Sequence, residues 1–269
     1  MIECVVNISE GRDQATIDAL VASAGDALLD LHRDADHHRS VLTLVGTDAI
    51  RAVARTAVDT IDLRSHSGVH PRIGVVDVVP FVALGGSTPA DAIAARDDYA
   101  RWSADELGVP CFVYGDERTL PEVRRGAFTT LVPDHGPAAP HPSAGASAVG
   151  QRPVLVAYNV WLAEPDLDVA RRIAREIRRP DLRTLGLAVG DGVQVSMNLV
   201  APERVGPAVA YDLVARRTAV ARAELVGLVP REVLGAVARH RWPELDLDDA
   251  RTIEARLEAA GGRIRPRRG

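Results

Sequence analysis

Apolar positions along the chain fall into short runs of strand length, separated by stretches of helical period, and the alternation occurs twice. Positions 2–8 read as a strand. Positions 13–24 put Ile17, Leu20 and Val21 on one helical face. A short apolar run at 28–31 and a strand at 41–45, closed by Gly46, come next. Positions 48–61 return to helical period with Ile50, Val53, Ala57 and Val58, and 73–84 is a long strand with Pro80 near its end. The order β-α-β-β-α-β then recurs: strand 154–160, helix 166–178 with Val169, Ile173 and Ile177 aligned, strands 184–189 and 193–200, helix 206–220 and strand 223–229. Gly190-Asp191-Gly192 between the two middle strands is a hairpin signal. The first strand of each copy carries an asparagine, Asn7 and Asn159.

This order is that of a split βαβ unit, an antiparallel sheet with helices on one face. The pattern therefore predicts an α+β fold of duplicated ferredoxin-like (βαββαβ) units, one subdomain over 1–150 and a second over 151–269. Between the copies the pattern gives a helix at 89–107, a strand at 109–115 and a short helix at 121–128. Residues 133–153, rich in Pro, Gly, Ala and Ser, have no period. By composition they read as a linker, with a ligand-approaching loop as the alternative.

Composition narrows the function classes. The 46% apolar and 26% charged residues of a 269-residue chain are enough for a sizeable core. No run reaches the ~18 apolar residues of a membrane helix, and the start MIECVVNISE lacks a signal-peptide pattern. A cytoplasmic protein that binds neither membrane nor nucleic acid is expected, the net charge of −5 arguing against the latter. Cys4 and Cys111 stand in separate apolar runs without CxxC spacing, so disulfides or a zinc ribbon do not organise the fold. All 32 basic residues are arginine. Lysine nucleophiles, Schiff bases and P-loops are thereby excluded, and anions must be held by guanidinium forks, backbone amides or histidine.

Five of the eight histidines lie in two segments, DLHRDADHHRS at 30–40 and RSHSGVHPRIGVVD at 64–77. The second holds Arg64, His66, His70 and Arg72, with Gly68 and Pro71 arguing against helix. A loop entering a buried strand holds side chains on a rigid edge. Histidine titrates near neutrality and suits general acid–base work. His32, Asp34, Asp36, His37, His38 and Arg39 form the first cluster. Neither cluster has a recognised metal-ligand spacing, and no metal is expected. Asp77, within VVDVV, needs a partner if buried, and Arg72 or His70 is the one expected.

The strings ECVVNISEGRD (3–13), HHRSVLTLVG (37–46), GVHPRIGVVDVVPF (68–81), CFVYGDE (111–117) and LVGLVP (225–230) occur in this order and resemble glutamate formimidoyltransferase, the transferase module also found fused to formimidoyltetrahydrofolate cyclodeaminase. The resemblance runs from residue 3 to about 230, and no cyclodeaminase module is expected within these residues. It implies two subdomains with a folate site in the cleft between them and a homodimer acting on small molecules. The implied reaction, in histidine degradation and one-carbon metabolism, moves a formimidoyl group from N-formimidoyl-L-glutamate to N5 of the co-substrate tetrahydrofolate.

The family's catalytic histidine falls on His70, as general base. Its folate-contacting stretch falls on Gly136, Pro137, Ala138, Ala139, Pro140, His141, Pro142, Ser143, Ala144 and Gly145, which replaces the linker reading. The substrate-binding set is then Asn7, Arg39, His66, Arg72 and Asp77, with Arg39 and Arg72 suited to carboxylates. The chain departs from the family at His32, where an Asp is common, at His38 for Asn, at Ser67 and Val69 for residues that include a Lys and a Glu, and at Ala144 for Trp. Three other readings stand beside this one. They are a folate-binding relative with a different one-carbon transfer, a metal-dependent hydrolase using His66, His70, His37 and Asp34, and a ligand sensor without turnover.

Overall fold

The computed structural model describes residues 1–68 and 71–261. It forms two compact units, Met1–Pro153 and a second beginning at Val154.

In the first unit, β1 (Ile2–Ile8), α1 (Gln14–Ala24), β2 (Leu28–Asp34), β3 (Arg39–Val45), α2 (Thr47–Thr60) and β4 (Val76–Ala83) follow the expected βαββαβ order. Asp13 caps α1 by accepting from the Thr16 amide at 3.0 Å. The chain continues through α3 (Pro89–Leu107), β5 (Cys111–Tyr114), α4 (Leu120–Gly126) and β6 (Ser147–Gln151). Six strands pair in the order β2-β3-β1-β4-β6-β5. The first four are antiparallel and reproduce the ferredoxin-like order, while β6 is parallel to both β4 and β5.

Alternation along the strands sorts side chains to two faces. Cys4, Val6, Ile8, Leu42 and Leu44 pack with Leu20 of α1, Ile50, Val53 and Ala57 of α2, and Tyr99 and Ala100 of α3. Val78, Phe112, Tyr114 and Ala148 turn the other way, onto Val123 of α4 and Phe128, a smaller second core. So helices cover both faces at the β4-β6-β5 side, and the sheet is mixed rather than purely antiparallel. Cys4 and Cys111 are buried free thiols.

Two departures bear on the site. Residues 73–75, expected within the long strand, pair instead with 144–146: Val75 N donates to Ala144 O at 2.9 Å, Ala146 N to Ile73 O at 2.9 Å, and Gly74 bridges Gly145. The stretch that composition reads as a linker is thus built into the first unit. Its end, Ser147–Gln151, is an interior strand of the sheet. The β1–β4 ladder pairs Cys4 with Phe81 and then Asn7 with Val78, its gap falling at Pro80, which has no N–H to give.

The second unit repeats the order with β7 (Val156–Leu162), α5 (Leu167–Ile177), β8 (Leu182–Val189), β9 (Gly192–Leu199), α6 (Pro207–Ala215) and β10 (Val220–Val226), paired β10-β7-β9-β8. Asp166 caps α5 through the Asp168 and Val169 amides. Ala170, Ile173, Ala174 and Ile177 of α5 reach the core with Tyr158, Val160 and Val195. α6 starts at Pro207, the position where a missing N–H costs nothing, and ends five residues before the expected limit. The chain then adds α7 (Arg231–Gly235) and α8 (Ile253–Gly261). The Tyr158 hydroxyl donates to Leu245 O at 2.8 Å. Among the described residues no helix is long and apolar enough to cross a membrane.

Candidate active site

Three turns of the first unit meet beyond the end of β1. The turn 9–13 is fixed by Glu10, whose Oε1 accepts from the amides of Gly11 (2.8 Å), Arg12 (2.6 Å) and Asp13 (2.9 Å). Ser9 ties it to the segment after His70, with N to Val75 O and Oγ to Gly74 O, both 2.8 Å. Ser40 Oγ donates to Glu10 O at 2.6 Å and joins β3 to the same turn. A side chain at Gly11 would run into Asp34 O and Arg39 N, so only glycine lets the turn lie this close.

The β2–β3 hairpin supplies Asp34, His37, His38 and Arg39. Asp34 Oδ1 accepts from the Asp36 and His37 amides at 2.9 and 2.8 Å, and its Oδ2 lies 2.6 Å from His37 Nδ1. Burial pushes the Asp34 carboxyl up, but the hydrogen bonds and charge of His37 outweigh it and hold it at about 2. His38, at φ 50°, accepts from the Gly11 amide at 3.1 Å through Nδ1 and stacks on His66 with ring centres 3.9 Å apart.

The third turn carries His66, Gly68 and Arg72 and leads into β4, where Asp77 stands. Arg72 Nη1 donates to the His66 ring, and its Nη2 reaches His37 O at 3.3 Å. Burial, reinforced by the positive Arg72 and by His38, pushes the His66 imidazole down to about 4. At neutral pH His66 is therefore uncharged, and one ring nitrogen accepts from Arg72. Burial likewise lowers the imidazolium form of His38, against the attraction of Glu10. Asp77 is 2% exposed. Its Oδ1 accepts from the Ile73 amide at 2.8 Å and its Oδ2 from Arg124 Nη2 at 2.6 Å. A partner of Asp77 is thus Arg124 of α4, which the sequence pattern did not name; Arg72 acts on the same carboxylate through its charge, and His70 lies outside the described residues. Burial disfavours the charge of Arg39, Asp77 and Asp34 oppose that effect, and Arg124 and Arg72 add to it. Arg39, Arg72 and Arg124 thus share the neighbourhood of one buried carboxylate, an excess of fixed positive charge.

The remaining expected residues sort as follows. His70 lies outside the described residues, as do Val69 and the basic end 263–269. Asn7 is half-buried on the β1 face opposite the main core, with a weak bond to Val5 O at 3.5 Å. Asn159, its counterpart in β7, donates to Glu224 Oε2 at 3.2 Å, where Trp161 Nε1 also donates at 2.9 Å.

Of the stretch 136–145, residues 136–140 and Pro142 are exposed, while Ala144 is 1% exposed within the main core. The Ala144 amide donates to His141 Nδ1 at 3.0 Å and its carbonyl accepts from Val75. Ser143 O accepts from the Leu63 amide at 2.9 Å. Both ends of the histidine-bearing turn, Leu63 and residues 73–75, are therefore bonded to this one segment.

Among the described residues no group of three His, Cys, Asp or Glu is arranged to hold a metal ion. Glu10, Arg12 and Arg124 are site residues that the sequence pattern did not single out. Glu10 and Arg12 lie within a string shared with the family. Arg124 sits on the polar side of a short helix, where one arginine looks like any other.

A family model described as "Formiminotransferase domain, N-terminal subdomain" matches residues 1–152. The chain belongs to the formiminotransferase family. A Streptococcus pyogenes serotype M1 protein named glutamate formimidoyltransferase is 37% identical over 92% of this chain and 95% of its own length. A Thermoplasma acidophilum protein of the same name is 32% identical, covering 97% and 98%. A Rattus norvegicus protein named formimidoyltransferase-cyclodeaminase is 34% identical over 87% of this chain and 51% of its own length. Within the formiminotransferase family, then, this chain is similar end to end to the shorter proteins and to about half of the longer one.

Proposed function

We propose that this chain transfers a formimidoyl group from N-formimidoyl-L-glutamate to N5 of tetrahydrofolate, with His70 as general base. The observation that carries the reading is similarity across more than nine-tenths of both chains to proteins named for this transfer. Geometry supports it. The turn holding His66 and Arg72 is hydrogen-bonded at both ends to the stretch that resembles the family's folate contacts.

Tetrahydrofolate supplies the accepting secondary amine. The exposed part of the stretch, Gly136 to Pro140 with Pro142, fits a flat ligand held by backbone and small side chains, with His141 half-buried beside it, whereas Ser143, Ala144 and Gly145 hold the turn. His70 takes the proton from the attacking nitrogen and returns one to the departing glutamate nitrogen, so that one N–C bond forms as another breaks. Arg39 and Arg72 hold the donor's carboxylates by paired hydrogen bonds. His66 keeps the Arg72 fork in place as an uncharged acceptor, and Asn7 is a further polar contact for substrate. Holding the two nitrogens in line supplies much of the remaining acceleration. On the same reading the enzyme works on small molecules, as a homodimer, in the cytoplasm.

The test is turnover of purified chain with tetrahydrofolate and three donors side by side: formimidoylglutamate, formylglutamate and glutamate. Formimidoylglutamate alone is expected to react, and His70→Ala is expected to fold but lose transfer by at least about a hundredfold. Preference for another donor, or a His70→Ala variant within a few-fold of the parent, overturns the reading.

A further inference from the structure

We propose that Arg124 of α4 is a positioning residue for the transfer: it fixes the chain from Pro71 to Asp77, directly after His70. The inference rests on the reading of residues 66–77 as the catalytic segment.

The guanidinium donates from Nη1 to Pro71 O and from Nη2 to Asp77 Oδ2, both at 2.6 Å. Asp77 completes a closed circuit, because its other oxygen accepts from the Ile73 amide at 2.8 Å. Two points of the segment, six residues apart, are thus tied to one planar group on a separate element. Only a guanidinium offers two rigidly spaced donors for two different acceptors; an ammonium can satisfy the carboxylate and leave the carbonyl.

The helix that carries Arg124 is itself held. Thr119 and Glu122 form a reciprocal cap at its start, and Val123, next to Arg124, is fully buried under the smaller core. On the other side of His70, Arg12 Nη1 reaches Ser67 O at 3.3 Å from an exposed position. The two ties bracket residues 68–70, and the one on Arg124 is shorter and anchored on a buried carboxylate. Asp77 also acts on the charges of Arg39 and Arg72, so Arg124 sets how that carboxylate is shared among the three arginines.

The experiment compares Arg124→Lys with the parent chain for Tm, kcat and KM of each substrate, and measures Arg124→Ala with and without added guanidinium ion. The Lys variant is expected to melt within about 3 °C of the parent, to keep its KM for tetrahydrofolate within about twofold, and to lose kcat by at least about tenfold. Guanidinium is expected to raise kcat of the Ala variant several-fold. A Lys variant with parental kcat, or one that loses activity only in proportion to its unfolded fraction, overturns the proposal, as does an Ala variant that guanidinium leaves unchanged. His70→Ala separates the two levels. If it stays active, the catalytic reading of 66–77 fails. If it is inactive while Arg124→Lys is fully active, only the role of Arg124 fails.

Discussion

Gly74 and Gly145 lie backbone to backbone in an antiparallel bridge, and neither has room for a methyl group. A Cβ on Gly74 would strike Ala146 O, and one on Gly145 would strike Ile73 O. Gly145 also sits at φ 71°, where an L side chain is strained. This pair is the seam between the histidine-bearing turn and the 136–145 stretch. Gly145→Ala is expected to lower stability by about 2–5 kcal/mol in denaturant titration and, in the fraction that folds, to weaken tetrahydrofolate binding. Parental stability would show that the seam opens freely.

His66 gives the site an acid-sensitive element. Its imidazole is held at about 4 when folded, against 6.5 for the free side chain, so the unfolded chain binds more protons between those values. Stability from this group is complete above about pH 6.5 and is lost as pH falls toward 4. Melting curves of His66→Asn across this range are expected to be flatter than those of the parent. An equal slope in both would remove His66 as the cause.

Asp34 acts at lower pH and in the same direction, the fold again favouring the deprotonated form. Its carboxyl is held at about 2, so its contribution is present above the free value of 3.8 and is lost as pH drops toward 2. Asp34→Asn is expected to erase that part of the acid-unfolding profile and to release the His37 ring, which NMR of the imidazole nitrogens reads directly. Unchanged ring shifts would mean that the bond to Asp34 does not set the tautomer.

The two thiols are inert by burial. Burial pushes Cys111 up to about 12 and Cys4 higher still. A thiol-reactive disulfide reagent is expected to label neither in the native protein and both in denaturant. Rapid labelling of the native chain would show that the sheet opens locally.

Both βαββαβ orders were legible because their strands are short apolar runs and their helices carry apolar faces of the right period. What escaped was decided by contacts distant in sequence. Ser147–Gln151 looks like loop because Gly150 must be bare: a Cβ there would enter the Tyr114 ring on the neighbouring strand. Residues 73–75 look like strand because Ile73 and Val75 are apolar, but they are bonded to residues 144–146 and to Ser9, both distant in sequence. Clustering of histidines pointed to the turns that meet, and the family resemblance pointed to residues 136–145. The buried state of Ala144 and the Asp77–Arg124 tie needed the third dimension. An aspartate in a valine-rich run announces only that some cation must come to it.

The position of β6 also sets an order of events for a chain leaving the ribosome. β5 touches the sheet only through β6, the last of the six strands to be made. Until residue 151 has emerged, β5 has only the single bridge from Cys111 to His135 and no strand to pair with, and the β4 edge stays open to wrong partners. Nascent chains stalled short of that point would therefore be captured by holding chaperones or cut by proteases, and protection should arrive in one step once β6 slides home.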